Sequence, residues 1–199
     1  MARIALHITG DQAADAVISR DPLALLIGMV LDQQVTIEKA FSSPDDLLER
    51  LGTKGPLNAA TLAAMDPEEL GDIFRERPAL HRYPGSMAGR VQAVCRVVAD
   101  EYANKADNIW KGVQSGDELI GRLRTLPGFG EQKAKIFAAL LGKQLGVRPD
   151  GWRKVTTPYC KEGSSLSVAD ITDRESLLKV RATKQAMKAK AKAKAAAGA

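Results

Sequence analysis

The sequence has only two cysteines and no long apolar run, and each scarcity excludes a class of protein. No stretch of eighteen apolar residues occurs, so no membrane span is expected. The first residues reach acidic and polar side chains too soon for a secretory signal peptide. Cys95 and Cys160 form no Cys-x-x-Cys pair, and the two histidines show no metal-ligand spacing. These features predict a cytoplasmic protein without disulfides or a metal site.

The net charge of +5 hides an uneven distribution of Lys and Arg. Residues 179–199 hold seven of the 29 basic residues and no Asp or Glu, which leaves 22 basic against 24 acidic residues in 1–178. Residues 1–178, the body of the protein, are therefore not basic. Any affinity for polyanions must come from a local patch, from backbone amides or from residues 179–199, the tail. We expect one domain over 1–178 and a basic tail over 179–199, whose Lys/Ala alternation predicts disorder.

Helix-start signals recur along the chain and predict an all-α fold. Asp21-Pro22, Ser43-Pro44 and Asp66-Pro67 each place a capping side chain before a proline at the first helical position. The segment LALLIGMVLDQQ after Pro22 is apolar almost all round, which indicates a central buried helix. Ser86 is expected to cap a long helix that ends near Asn104. Two further helices are predicted over 116–125 and 130–146.

The turn between the last two helices reads Leu-Pro-Gly-Phe-Gly over 126–130. Two glycines after a proline give a tight turn with exposed backbone, and the free amides and dipole of the next helix favour a phosphate. Glycine lets another backbone approach closely, which a side chain would prevent. An ordinary corner between two bundle helices has the same pattern, so the turn alone does not decide its function.

Three parts of the sequence resemble, in the same order, the helix-hairpin-helix (HhH-GPD) superfamily of base-excision DNA glycosylases. Residues 21–36 are similar to the family's opening helix, which ends in a glutamine-containing turn that enters the duplex. Residues 117–146 resemble its hairpin. Asp150 follows Gly130 by twenty residues, the spacing of the family's catalytic aspartate, and 150–155 resemble the adenine-mismatch branch. The resemblance implies a helix-hairpin-helix glycosylase-like bundle that acts on double-stranded DNA.

The resemblance also implies roles for particular residues. Asp150 would stabilise the positive charge that develops on the sugar and would orient or deprotonate the attacking water. Gln34 would fill the hole that an extruded base leaves. The DNA-binding residues implied are, besides Gln34, Gly128, Phe129, Gly130, Gln132 and Lys133. Weaker candidates for the base pocket are Gln33 (or Asp32), Tyr83 and Trp152.

Each of these assignments has a structural alternative. Pro-Asp-Gly is a common surface turn, and without the hairpin spacing Asp150 would be assigned to one. Gln33 and Gln34 could simply end a helix. For Tyr83, Trp110 and Trp152, a place in the apolar core competes with a stacking surface.

The sequence departs from the family at two points. Bifunctional members carry a Schiff-base lysine where this chain has Gln132, and Lys133 would point about 100° away around the helix, toward solvent or the neighbouring lobe. This predicts hydrolysis without strand cleavage. Family branches with an iron–sulfur cluster carry four clustered cysteines after this domain, whereas this chain has only Cys160 there, so no cofactor is expected.

The sequence does not reveal which base is removed. We expect a monomer, associated with the nucleoid, with no membrane partner. Two other functions remain open on the sequence. Helix-hairpin-helix units also serve as non-catalytic, sequence-neutral DNA-binding modules, and a net-negative helical bundle could be purely structural.

Overall fold

The structure is a computed structural model that describes residues 5–53 and 55–197. It confirms the all-α prediction, because these residues form no strand and only an isolated bridge between Ser115 and Asp150. The α-helices are α1 (Gln12–Arg20), α2 (Pro22–Leu31), α3 (Ile37–Arg50), α4 (Ala59–Ala64), α5 (Pro67–Arg75), α6 (Pro84–Glu101), α7 (Gly116–Arg124), α8 (Glu131–Gln144), α9 (Trp152–Thr156) and α10 (Arg174–Ala197). Two 3-10 helices lie at Ala106–Ile109 and Val168–Asp170.

Helix α2 is the buried centre that the sequence predicts, with nine of its ten residues buried. Asp21 caps it, since its carboxylate accepts hydrogen bonds from the amides of Leu23 and Ala24. The second carboxylate oxygen accepts from the amide of Leu57 at 2.7 Å, which ties the loop before α4 to the same cap. Burial raises the pKa of Asp21, against the three amides that lower it. Helices α1, α3 and α6 pack around α2.

Helix α3 does not begin at Pro44, as the Ser43-Pro44 signal predicts. Thr36 caps it instead, and the helix runs through Pro44 to Arg50. Pro44 has no amide hydrogen to donate within the helix, which weakens one turn. The buried stripe of Phe41, Leu47 and Leu48 nevertheless continues on both sides of the proline. Burial of such a side chain contributes about 1.5–3 kcal/mol, so packing overrides the local signal.

The long helix α6 also differs from its expected bounds. It begins at Pro84 and ends at Glu101, so Ser86 lies inside its first turn and caps nothing. Tyr83 occupies the capping position without a side-chain hydrogen bond. The preset φ of a proline at the first helical position accounts for the earlier start.

The tail over 179–199, for which the sequence predicts disorder, is helical through Ala197, and residues 198–199 lie outside the described residues. Alanine and lysine both have high helix propensity, and the first turns of α10 are anchored. Val180 is fully buried, Arg181 pairs with Glu38 at 3.0 Å, and Lys184 pairs with Asp32 at 3.4 Å. The expected domain boundary at 178/179 therefore falls inside a continuous helix.

Helices α7, α8 and α9 pack on one another, and the 3-10 helix at Val168–Asp170 joins α8 to α10. A partly buried ion pair between Lys143 and Asp170 links α8 to this 3-10 helix. No helix in the described part of the chain is both long and apolar enough to cross a membrane.

Candidate active site

The hairpin turn, residues 126–130, connects α7 to α8 and exposes the amides that begin α8. Gly128 is in the left-handed region at φ +82°, and Gly130 precedes the helix with no side-chain cap. The first helical bond of α8 runs from the amide of Ala134 to the carbonyl of Gly130. Among the described residues, no acceptor faces the amides of Glu131, Gln132 or Lys133. This end of α8 therefore has the free amides that an anion site requires.

Phe129 is predicted to contact DNA, but the structure buries its ring in the core. The ring is 4% exposed and meets Phe137 edge to face, with 6.0 Å between centroids. The amide of Phe129 donates to the carbonyl of Leu126 at 3.0 Å, so neither its ring nor its amide hydrogen is free to contact DNA. The sequence could not separate these roles, because an apolar residue between two glycines fits either one.

Gln132 and Lys133 diverge, as the helical spacing predicts. Gln132 is exposed, and its amide nitrogen donates to the hydroxyl of Tyr159 at 3.0 Å. The amine of Lys133 faces the neighbouring helix and donates to the carbonyls of Met29 and Val30 at 2.8 and 3.0 Å. These carbonyls belong to the last turn of α2, where the helix dipole favours a cation.

The surroundings of Lys133 make its amine easier to deprotonate. Burial lowers the pKa of Lys133 to about 8. The carboxylate of Asp32 opposes this shift, while the charges of Arg90 and Lys184 add to it. Hydrogen bonds to two carbonyls keep the amine directed at α2 in either protonation state, since a neutral amine still has hydrogens to donate.

The wedge turn, residues 32–36, links α2 to α3 and displays Gln34. This side chain is exposed, and its backbone has φ +57°, in the left-handed region that non-glycine residues rarely adopt. Strain of this kind persists only where the surrounding contacts over-determine it, and it often marks a functional site.

Gln33 supplies most of those contacts, so it is not free to read a base. Its side-chain nitrogen donates to the carbonyl of Val30 at 2.7 Å, and its side-chain oxygen accepts from Arg90 at 2.7 Å. Its backbone carbonyl lies 2.8 Å from Nε2 of His81. The base-pocket prediction for Gln33 is replaced by a structural one, in which Gln33 holds the turn that presents Gln34.

His81 joins the wedge turn to the loop before α6. Its ring is 2% exposed, and Nδ1 accepts the amide hydrogen of Tyr83 at 3.0 Å. An amide can only donate, so in the neutral ring the proton is on Nε2, which donates to the carbonyl of Gln33. The sequence assigns His81 no role, since an isolated histidine carries no motif.

Tyr83 consequently stands next to the wedge turn. Its side chain is 44% exposed, and the guanidinium of Arg82 lies 5.5 Å from the ring centroid. An exposed aromatic ring with a cation over it suits contact with an unstacked base and its phosphates. The base-pocket interpretation of Tyr83 thus remains a prediction that the geometry permits.

Asp150 is held by its backbone and presents an exposed carboxylate. Its amide donates to the carbonyl of Gln114 at 3.1 Å, and its carbonyl accepts from the amide of Gly116 at 2.7 Å. Gly151 follows at φ +73°, which turns the chain into α9. In residues 5–53 and 55–197, no group donates a hydrogen bond to the Asp150 carboxylate, so both of its oxygens are available.

Trp152 anchors this loop instead of forming a stacking surface. The indole is 4% exposed, and its nitrogen donates to the carbonyl of Ala138 at 2.8 Å. The ring lies against Gly142, where an added Cβ would come within 2.0 Å of it. The guanidinium groups of Arg148 and Arg153 lie 5.6 and 5.7 Å from the ring. The core alternative is therefore the correct one for Trp152, and also for Trp110, which is 6% exposed.

The structure connects the wedge turn, α8 and Tyr83, whereas the backbone contacts of Asp150 go to Gln114 and Gly116 at the start of α7. No described hydrogen bond or ion pair joins Asp150 to the wedge turn or the hairpin turn. Its neighbour Trp152 contacts Ala138, six residues after Gln132 and therefore about 9 Å further along α8.

Cys95 and Cys160 are both buried, and burial raises the pKa of Cys95 to about 12. Within the described ranges, no group of three or more His, Cys, Asp or Glu residues is placed to hold a metal ion.

The described residues place the hairpin turn between α7 and α8, the wedge turn with its exposed Gln34 after α2, and Asp150 between α8 and α9. The model of the HhH-GPD superfamily of base excision DNA repair proteins matches residues 27–198. The chain belongs to this superfamily, whose general function is excision of bases by DNA glycosylases and whose substrate is DNA. Comparisons with curated proteins and with solved structures found no match.

Proposed function

We propose that this protein is a monofunctional DNA glycosylase, which hydrolyses the N-glycosidic bond of a damaged or mismatched base with Asp150. The observation that carries the proposal is the carboxylate of Asp150, which is exposed and accepts no described hydrogen bond, between α8 and α9 of an HhH-GPD protein. Two backbone hydrogen bonds and the buried Trp152 hold the backbone from which this carboxylate projects, which supports a role for it at a fixed place in the site.

The reaction needs only water besides the DNA. The bond between base and sugar breaks, and the base leaves with the bonding electrons and takes up a proton. The carboxylate of Asp150 stabilises the positive charge that builds on the sugar. Water attacks the anomeric carbon and gives a proton to Asp150, which leaves a free base and an abasic site in an intact strand.

Gln34 would enter the duplex as the base leaves. Extrusion breaks stacking and leaves a hole opposite the partner base. An exposed planar amide on a fixed turn can fill this hole and hydrogen-bond to the orphaned partner. The free amides at the start of α8 would meanwhile bind the DNA backbone without reading sequence.

A panel of duplexes tests the proposal, each with one candidate substrate: uracil, hypoxanthine, 8-oxoguanine, an alkylpurine or mismatched adenine. After incubation, alkali cleaves strands at abasic sites and reports base release. We expect release from at least one duplex, and loss of at least about 10³-fold in rate for Asp150→Asn, about 4 kcal/mol of transition-state stabilisation. Binding to a duplex with a tetrahydrofuran abasic analogue should remain.

Asp117→Asn is the matched control, because Asp117 is exposed in the first turn of α7 and the change in charge is the same. It should release base at the wild-type rate. Undiminished activity in Asp150→Asn would exclude Asp150 as the catalytic residue. Duplex binding without release from any substrate would instead favour the non-catalytic DNA-binding module.

The monofunctional assignment has a separate test. A lyase forms an imine between an amine and the sugar, and borohydride traps this imine as a covalent protein–DNA adduct. Gln132 cannot form an imine, and the amine of Lys133 is turned toward Met29 and Val30. We expect no adduct and no strand cleavage without alkali. An adduct that disappears in Lys133→Ala would identify Lys133 as a nucleophile.

A further inference from the structure

Arg90, on α6, touches both of the turns that the proposed function brings to DNA. Its guanidinium donates to the side-chain oxygen of Gln33 at 2.7 Å. Its aliphatic stem covers the hairpin turn, since a Cβ added to Gly128 would lie 2.8 Å from its Cδ. One side chain therefore spans from the wedge turn to the hairpin turn.

Lys133 connects the helices that flank these turns, since it lies in the first turn of α8 and bonds to the last turn of α2. Its amine and the side-chain nitrogen of Gln33 both donate to the carbonyl of Val30, at 3.0 and 2.7 Å. The hydrogen bonds thus run without interruption from Arg90 through Gln33 and Val30 to the first turn of α8. Both the oxygen and the nitrogen of the Gln33 side chain take part in these hydrogen bonds.

We propose that Arg90 is a positioning residue, which fixes the wedge turn relative to the hairpin and so couples backbone binding to insertion of Gln34. This inference rests on the proposed function. When the amides of α8 bind a phosphate, the network sets where Gln34 stands relative to that phosphate. Without Arg90 the hairpin turn still binds the DNA backbone. Gln34, however, is no longer held in position to enter the gap that the extruded base leaves in the duplex.

The alternative role for a partly exposed arginine at this face is a direct contact with a phosphate. The two roles differ in what they predict. A phosphate contact stabilises every duplex alike and contributes to the dependence of affinity on salt. A positioning role affects only a duplex with a gap for Gln34 to fill.

The experiment compares binding to two duplexes of one sequence, undamaged or with a tetrahydrofuran abasic analogue, for wild type, Arg90→Met, Gln33→Met and the double variant. We expect the wild type to prefer the abasic duplex. In each single variant the ratio of affinities for the abasic and undamaged duplexes should fall by at least about tenfold, which is about 1.4 kcal/mol. The double variant should lose no more than either single one, because both belong to one unit. Affinity for the undamaged duplex should stay within about twofold.

Arg96→Met is the matched control, since it removes the same charge from the same helix at an exposed position whose hydrogen bond goes to Ala63. It should keep the preference. Fluorescence of 2-aminopurine placed opposite the analogue adds a readout of insertion, and its enhancement on binding should fall in Arg90→Met. Thermal unfolding of each variant shows whether it is folded. If Arg90→Met does not fold, the comparison is made with Gln33→Met instead.

Three outcomes would overturn the inference. Equal loss of affinity for both duplexes, with a shallower salt dependence, would make Arg90 a phosphate contact. An unchanged preference in folded Arg90→Met and Gln33→Met would show that the network does not position Gln34. A wild-type protein that does not distinguish the two duplexes would reject the proposed function itself, and the inference with it.

Discussion

Gln34 carries backbone strain that a glycine would relieve. A residue in a sparsely populated backbone region costs about 1–3 kcal/mol, and at φ +57° glycine would not bear this cost. Glycine would also remove the amide that we propose enters the duplex. Stability and function therefore favour different residues at this position.

We predict that Gln34→Gly raises the unfolding free energy by up to about 1 kcal/mol and weakens binding to the abasic duplex by at least about tenfold. Chemical denaturation and titration with labelled duplex measure the two quantities. Ala103→Gly is the control, because Ala103 has a similar φ of +52°. It should gain stability with no change in binding. If Gln34→Gly kept its affinity for the abasic duplex, Gln34 would not be the inserted residue.

The lowered pKa of Lys133 makes its contribution to stability depend on pH. The folded protein releases this proton near pH 8, whereas the unfolded chain holds it to about pH 10.5. Between these values the unfolded state binds more protons, so the contribution of Lys133 to stability rises with pH. Well below pH 8 both states are protonated and the contribution is constant.

We predict that the unfolding free energy of the wild type, relative to Lys133→Met, increases from pH 7.5 to pH 10 by at least about 1 kcal/mol. Urea unfolding of both proteins at several pH values measures the difference, in which other lysines cancel. Lys135→Met is the control, since Lys135 is on the same helix and pairs with Glu131. A difference that stays flat over this interval would show that Lys133 keeps an ordinary pKa.

At the scale of elements, the sequence predicts helices where a cap and an apolar face agree. Asp21 and Asp66 cap α2 and α5 as expected, because each has a non-helical backbone that separates its helix from the one before, α1 or α4. Ser43 carries the same signal but lies within the buried stripe of α3, and packing keeps the helix unbroken. Gln34 and Asp150 are likewise predictable from short stretches of sequence: Gln34 from the end of α2, and Asp150 from its spacing after Gly130. The contacts of Gln33, His81 and Arg90 join distant segments, so no local pattern could reveal them.

The two hairpin glycines serve different purposes, although the sequence treats them alike. Gly128 has a positive φ, and a Cβ there would strike the stem of Arg90. A Cβ on Gly130 would meet nothing within 4 Å, and its φ of −74° suits any residue. Only Gly130 can therefore be replaced to test approach of DNA without a change in packing.

We predict that the unfolding free energy of Gly130→Gln lies within about 1 kcal/mol of the wild-type value. The variant should weaken binding to damaged and undamaged duplexes by the same factor, since the hairpin reads no sequence. Gly128→Ala should lose about 1 kcal/mol or more of stability from its strained backbone. Melting curves and duplex titrations give both quantities. A loss in Gly130→Gln confined to one lesion would assign Gly130 to the base pocket instead.

At the scale of the whole molecule, the positive charge is concentrated on α10. This helix passes beside the wedge turn, where Lys184 pairs with Asp32 and Arg181 pairs with Glu38. The body alone is slightly acidic, so α10 brings the excess of cations to the face proposed to meet DNA. Because Val180 is fully buried, the first turns of α10 belong to the folded core, and the residues after Lys184 are the part that can be removed.

We predict that removal of 185–199, which contains four lysines, weakens binding to undamaged duplex and leaves the melting temperature unchanged. The slope of log affinity against log salt should flatten by about 0.9 for each phosphate that these lysines neutralise in the full-length protein. Changing Lys188, Lys190, Lys192 and Lys194 to Gln should have the same effect as the truncation, since the effect is one of charge. Removal of 179–199 should in addition lower the melting temperature, because it takes Val180 from the core. A salt slope that is the same with and without 185–199 would show that these lysines do not bind DNA.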